Sequence, residues 1–331
     1  MPISPARIAA FDILLRVERK DSYASELLHA SHYSNLSVAD HGLATELVMG
    51  VLRWRSLLDE RIEKHSSQKL SRLDPEVLTA LRLAAYQLLF LDRVPERAAV
   101  HESVELVKRA KKRSAVPFAN AVLRKFGAIA GERDIASAIG KSKTAEELAE
   151  SSAHPPWLVE RWVQEFGLDT TKKICAYDQQ IPETAVRITD PVILDELRHE
   201  KIELAPGRLL SSSYRVNAAD ITHTRAFREN RLAIQDEASQ LVSLLVGRGS
   251  SILDCCAAPG GKTRILAERN PRARIVAMEL HPYRARMLRN LVASNNVHVI
   301  AADARNPPTS ALFDGVLADV PCSGTGTLAR N

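Results

Sequence analysis

Cysteine is scarce. The 331 residues hold four thiols, Cys175, Cys255, Cys256 and Cys322, with no CxxC pair and no Cys/His group at zinc-ligand spacing. This excludes a disulfide scaffold and leaves no metal partner expected. Long apolar runs are also missing. The strongest, Val77 to Leu91, is interrupted by Arg82 and Gln87 and is too short to cross a bilayer. The N-terminus shows no basic stretch followed by an apolar block, so no secretory signal is read and a cytoplasmic location is expected. A GxGxxG fingerprint is absent, which argues against a dinucleotide cofactor. Neither sign of charge dominates: 45 Lys+Arg against 40 Asp+Glu leaves +5, weak evidence for a polyanionic partner.

At about 150 residues per domain, the length suggests two or three domains. Residues 1–130 carry helical periodicity throughout and read as an all-helical domain. Helices are expected at Pro5–Arg19, Ala39–Arg61, Arg97–Lys112 and Phe118–Phe126. Asp74-Pro75-Glu76 should start another, with Asp74 as N-cap, and the segment to Leu91 is apolar enough to be the buried centre of a bundle. Residues 131–153 are small and polar and read as a linker, with room for a short helix. Residues 154–235 mix helical and strand-like pieces, a small α+β unit. From 236 onward strands and helices alternate, the pattern of a parallel α/β sheet.

Four acids fall where those strands should end: Asp254, Glu279, Asp303 and Asp319. Ligands bind at the carboxyl edge of such a sheet. After the first strand comes Ala257-Ala258-Pro259-Gly260-Gly261-Lys262, whose glycines permit close backbone approach. Glu279 lies 25 residues beyond Asp254, at the position from which an acid takes a ribose diol. Together these imply a nucleoside cofactor. A Walker A loop needs glycine at position 256, which is cysteine. S-adenosylmethionine fits better, because it has a ribose diol but no pyrophosphate. On the fourth strand, Asp319-Val320-Pro321-Cys322 followed by a Gly-rich turn presents a thiol at the same edge.

The strings LDCCAAPGGKT (253–263) and ADVPCSGTGT (318–327) resemble the RNA cytosine-C5 methyltransferases, and VPFANAVLRKF (116–126) within the helical part resembles the NusB-like RNA-binding domain. The combination resembles bacterial 16S rRNA cytosine-C5 methyltransferases, which implies a NusB-like helical domain, a small α+β unit and an incomplete Rossmann-like methyltransferase domain. It implies S-adenosylmethionine as cofactor and 16S rRNA as partner, with cytosine 967 as target. Cys256 through Lys262 would line the methionine and ribose, Glu279 would hold the ribose hydroxyls, Asp303 the adenine end, and Asp319 the reacting region. In this family the Pro-Cys cysteine, here Cys322, releases product, while the attacking thiol sits in a Thr-Cys dipeptide on the next strand.

No Thr-Cys occurs in this sequence. The chain is therefore expected to be part of an enzyme, lacking the nucleophile and unable to transfer a methyl group. One alternative makes Cys322 the nucleophile; another is a non-catalytic RNA-binding protein. RNA phosphates are expected at Lys108, Arg109, Lys111, Lys112, Arg113, Arg124 and Lys125. Trp157 and Trp162, five apart, are expected in the core, although either of them or Tyr214 could stack on a base. Cys175 and Cys255 read as small buried hydrophobes. A monomer is expected.

Overall fold

A computed structural model describes residues 3–20, 24–28, 33, 35–127, 135–217, 220–325 and 328. Gly326, Thr327 and part of the expected 131–153 linker lie outside the described residues. The chain forms two compact units that divide between Gln180 and Ile181.

The first unit is helical: α1 (Pro5–Lys20), α2 (Ala24–Leu28), α3 (Val38–Arg53), α4 (Arg55–His65), α5 (Pro75–Phe90), α6 (Glu96–Arg109), α7 (Val116–Gly127), α8 (Ile135–Lys141), α9 (Ala145–Ser151), α10 (Pro156–Phe166) and α11 (Leu168–Asp178). Helix α5 is buried nearly all round and packs on α1, α3, α4, α6 and α7. Its two polar interruptions are both paired. Arg82 donates two bonds to Asp59, at 2.6 and 2.7 Å, and Gln87 accepts one from Arg7 at 2.7 Å. Burying them therefore leaves no charge unmatched.

The single helix expected over Ala39–Arg61 is broken at Trp54, where α3 ends and α4 begins. Trp54 is buried and stacks on Phe90, 4.8 Å between ring centroids, and Phe90 stacks on Tyr86. Seating this aromatic column outweighs helix continuity. Asp74 precedes α5 as expected but makes no side-chain cap; its carboxylate instead meets Lys112 Nζ at 3.1 Å.

Residues 135–178 form a second small core from Ile139, Leu148, Ala149, Val159 and Cys175. Its helix α9 begins at a Thr144 cap, whose hydroxyl accepts from the Glu147 amide. Trp162 packs against this cluster, but Trp157 stands 62% exposed, contrary to the expectation that both are core. Trp157 lies in the first turn of α10, where the partly exposed helix face turns to solvent.

The second unit begins with a four-stranded antiparallel sheet of order β2-β3-β1-β4, comprising β1 (Thr184–Arg187), β2 (Glu203–Pro206), β3 (Ser213–Asn217) and β4 (Ala233–Ile234). Helices α12 (Pro191–His199) and α13 (Arg225–Arg228) belong to it. Ile193 and Leu197 of α12 bury against Val186 and Val216. Helix α14 (Glu237–Leu245) leads to a parallel sheet of order β7-β6-β5-β8, made of β5 (Ser251–Asp254), β6 (Arg274–Glu279), β7 (Val297–Ala301) and β8 (Gly315–Leu317), with α15 (Gly261–Arg269) and α16 (Pro282–Val292) as crossovers. Strand β6 is buried along almost its whole length, as expected of a central strand in a parallel sheet. The fourth strand is only three residues long, so Asp319 lies two residues past its end.

Among the described residues strand β8 is an edge, and Leu312, Val316 and Val320 around it are exposed. Limited proteolysis should cut first between residues 305 and 325, before the α5-centred bundle is touched. Equal resistance of both stretches would contradict this expectation.

Candidate functional site

The parallel order β7-β6-β5-β8 changes direction at β5, with its two neighbours β6 and β8 reached by crossovers to opposite sides. Such a switch point leaves a crevice outside the carboxyl ends of the strands. The connection from β5 to α15 fills its rim. Gly260 adopts φ +120°, and a Cβ there would lie 2.8 Å from Leu288 Cδ1 and from Val292 Cγ2. Only glycine allows this turn to pack against α16. Gly260 caps α15 with no side chain, so the helix begins at the carboxyl edge with no side-chain acceptor for its first amides.

Asp254, the last residue of β5, is 1% exposed. Its Oδ2 accepts the Thr263 hydroxyl at 2.7 Å, while among the described residues Oδ1 has no hydrogen bond of good geometry. Burial pushes its carboxyl up to about 6, against the opposing pull of the Thr263 hydroxyl, the Cys256 amide and Lys262. A carboxyl whose folded pKa is raised stabilises the fold fully below its unfolded value and loses that contribution as pH rises through the folded value. The span from 3.8 to about 6 corresponds to about 3 kcal/mol. Asp254→Asn should therefore be more stable than wild type at pH 8 by up to that amount, the gap closing toward pH 4. Denaturant unfolding across this range checks it, and a gap independent of pH would refute it.

Glu279 closes β6 and is 5% exposed. Its Oε1 accepts the His281 amide at 3.0 Å and faces Arg284 Nη1 at 3.7 Å. Lys262, in the first turn of α15, reaches across to Asp319, Nζ to Oδ2 2.6 Å. This pairing draws Lys262 to the β8 side of the crevice rather than the β6 side. Asp303 stands two residues past β7 and is committed to Arg305, whose guanidinium and amide hold its carboxyl down to about 2. Cys256 is half-buried, and burial together with the carboxylates of Asp254, Glu279 and Asp319 pushes its thiol up, which makes it a poor nucleophile. Burial likewise pushes up the Cys255 and Cys175 thiols. Cys322 is exposed, and its Sγ accepts the Gly324 amide at 3.4 Å.

The structure thus brings Asp254, Lys262, Glu279 and Asp319 to one edge and sets Asp303 at its periphery. Sequence reasoning missed Gln235, whose buried side chain abuts Gly261. Its only signal was a position just before the Asp236 cap of α14. An open groove of about 640 Å³ between the C-terminal ends of α15 and α16 lies at the opposite edge of the sheet, because both helices start at the carboxyl edge.

Of the seven cations expected to meet RNA, three are engaged within the chain. Lys108 pairs with Glu105, Arg109 makes two bonds to Asp12, and Lys112 meets Asp74. Lys111, Arg113, Arg124 and Lys125 are exposed.

Family models match the chain twice: the NusB family over residues 4–128 and the 16S rRNA methyltransferase RsmB/F family over residues 242–331. A Bacillus subtilis protein named as a probable ribosomal RNA small subunit methyltransferase B is 31% identical over 100% of this chain and 76% of its own length. A Synechocystis protein of the same name is 31% identical over 98% of this chain and 76% of its own. The crystal structure of PH0851 superposes with a TM-score of 0.76 at 22% identity, covering 100% of this chain and 77% of that one, and so shares the fold. No described helix is long and apolar enough to cross a membrane. With a helical NusB-like part, a parallel α/β sheet and relatives matched along the whole sequence, the chain belongs to the ribosomal RNA small subunit methyltransferase B family.

Proposed function

We propose that the chain serves S-adenosylmethionine-dependent methylation of carbon 5 of a cytosine in 16S rRNA, cytosine 967. One observation carries this reading: Lys262 and Asp319 meet at 2.6 Å on the edge that holds the buried acids Asp254 and Glu279, with exposed Cys322 three residues beyond Asp319. The cofactor supplies an electrophilic methyl group when bound. The residues present fit it. Glu279 Oε1 is taken by an amide, and its second carboxylate oxygen is left for a ribose diol. Residues Cys256, Ala257, Ala258, Pro259, Gly260, Gly261 and Lys262 wrap the turn where the methionine end would lie, and Asp303 would stand toward the adenine.

Carbon 5 of cytosine is a weak nucleophile until a thiolate adds to carbon 6 of the ring. Asp319, its carboxylate held by Lys262, is suited to receive a hydrogen bond from the amino edge of the cytosine as that addition proceeds. Cys322, exposed on the same segment, would take the carbon-5 proton and release the product. The target base must leave its stack to reach these groups. Lys111, Arg113, Arg124 and Lys125 would meet RNA phosphates, because they are exposed while Lys108, Arg109 and Lys112 are drawn into ion pairs. Cytoplasmic location, a monomer and the absence of a metal belong to the same reading.

A second reading has a specific observation behind it. Cys322 is the exposed thiol of the four, and no Thr-Cys dipeptide occurs in the sequence. The two are separated by RNA carrying 5-fluorocytosine, which traps the attacking thiol as a covalent adduct. We expect the 331-residue chain to bind cofactor yet form no adduct and incorporate no labelled methyl. An adduct lost in Cys322→Ala would instead make Cys322 the nucleophile. Failure to bind cofactor at all would leave an RNA-binding protein.

A further inference from the structure

Gln235 occupies the two-residue connection between β4 and α14. Its backbone is clamped on both sides: its amide donates to Ala185 O at 3.0 Å, and its carbonyl accepts from Gln240 Nε2 at 3.0 Å. Its side chain is not clamped. The residue is 9% exposed, and neither Oε1 nor Nε2 has a hydrogen-bond partner among the described residues. Folded proteins rarely bury such a group unpaired, and where they do a functional reason is common.

The amide faces the start of α15. A Cβ added to Gly261 would lie 3.3 Å from Gln235 Nε2 and 3.4 Å from Cδ. Helix α15 runs nine residues and has no side-chain cap, so its first amides and its positive end look the same way. A carboxamide offers one acceptor and two donors. A phosphate would use only the donors and leave Oε1 unpaired. An α-amino acid group uses both, its ammonium donating to Oε1 and its carboxylate accepting from Nε2 and from the helix amides. A carboxylate is also the group that a helix N-terminus favours.

We propose that Gln235 is a cofactor-positioning residue, which holds the amino-acid end of S-adenosylmethionine against the N-terminus of α15. This rests on reading the sheet edge as a site for that cofactor. Gln235 reaches the site from the antiparallel part of the unit, so the cofactor would tie the β4–α14 corner to the parallel sheet.

The test compares three ligands by calorimetry: S-adenosylmethionine, S-adenosylhomocysteine, and 5′-methylthioadenosine, which lacks the amino-acid end. Gln235→Met keeps the length and removes the hydrogen bonds; Gln235→Glu keeps the shape and repels a carboxylate. Both should weaken the first two ligands about tenfold and leave methylthioadenosine unchanged. Without ligand, Gln235→Met should melt at or above the wild-type temperature, because no native hydrogen bond is lost. Unchanged affinity for all three would overturn the proposal. So would an equal loss for all three, which is the mark of a structural role, or weakened RNA binding alone, the mark of a contact to the target base. If wild type binds none of the three, the cofactor reading fails and the role of Gln235 falls with it. If wild type binds and the variants bind equally well, only the role of Gln235 fails.

Discussion

Replacing Glu279 with alanine should raise the dissociation constant for S-adenosylmethionine at least about a hundredfold. The carboxylate sits at the end of a central strand, 5% exposed, in a position the His281 amide and Arg284 fix. Hydrogen bonds to a charged acceptor contribute about 1.5–3 kcal/mol each, and a ribose diol makes two. Even the low end of that range reaches a hundredfold. Thermal shift gives an independent readout. Ligand at one hundred times its Kd stabilises wild type by about 2.7 kcal/mol, and the variant at the same concentration should show almost none of this. Arg284, which loses a partner at 3.7 Å, is 39% exposed and can turn to solvent, so the fold should survive. A dissociation constant within threefold of wild type would remove Glu279 from the site.

Gly50→Val should be the most damaging change to the helical unit. A Cβ at this position would lie 2.0 Å from Tyr86 Cζ, and Tyr86 cannot retreat. Its ring is 3% exposed, it stacks on Phe90, and its hydroxyl donates to Glu46. Burial and that carboxylate push the phenol pKa up, so the hydroxyl stays a donor at any physiological pH. Overpacking of this severity costs about 3 kcal/mol or more. For a unit of this size that lowers the melting temperature by about 6–12 °C. Because the division of the chain puts Gly50 and the sheet edge in different units, RNA affinity should fall while cofactor affinity holds. Loss of both in parallel would show that the units do not fold independently.

Much of this was legible in the sequence for particular physical reasons. The centre of the bundle, α5, announced itself because a helix apolar on every face has nowhere to go but inside. Asp254 and Glu279 could be placed at strand ends because each closes an unbroken apolar run. The misses were of another kind. The break at Trp54 depends on Phe90 and Tyr86, which are more than thirty residues away in sequence and contribute nothing to local periodicity. Strand β2 is only four residues long and helix α11 is weakly patterned, and their neighbours stabilise them.

The sequence by itself determined the class of the molecule. Helical periodicity, strand–helix alternation and an acid at the end of each apolar run are local properties of the chain, written within a few residues of one another. Only the tertiary structure decided the electrostatics of the site. Lys262 and Asp319 lie 57 positions apart and become partners only because β8 is laid beside β5. The fold likewise buries Asp254 and raises its pKa, and it leaves Gln235 with its amide unpaired against Gly261, whereas Asp303 meets Arg305 through a local contact two residues along the chain. Charge and hydrogen-bonding capacity are carried by residue type, but whether they are solvated, paired or left open depends on what the fold places next to them.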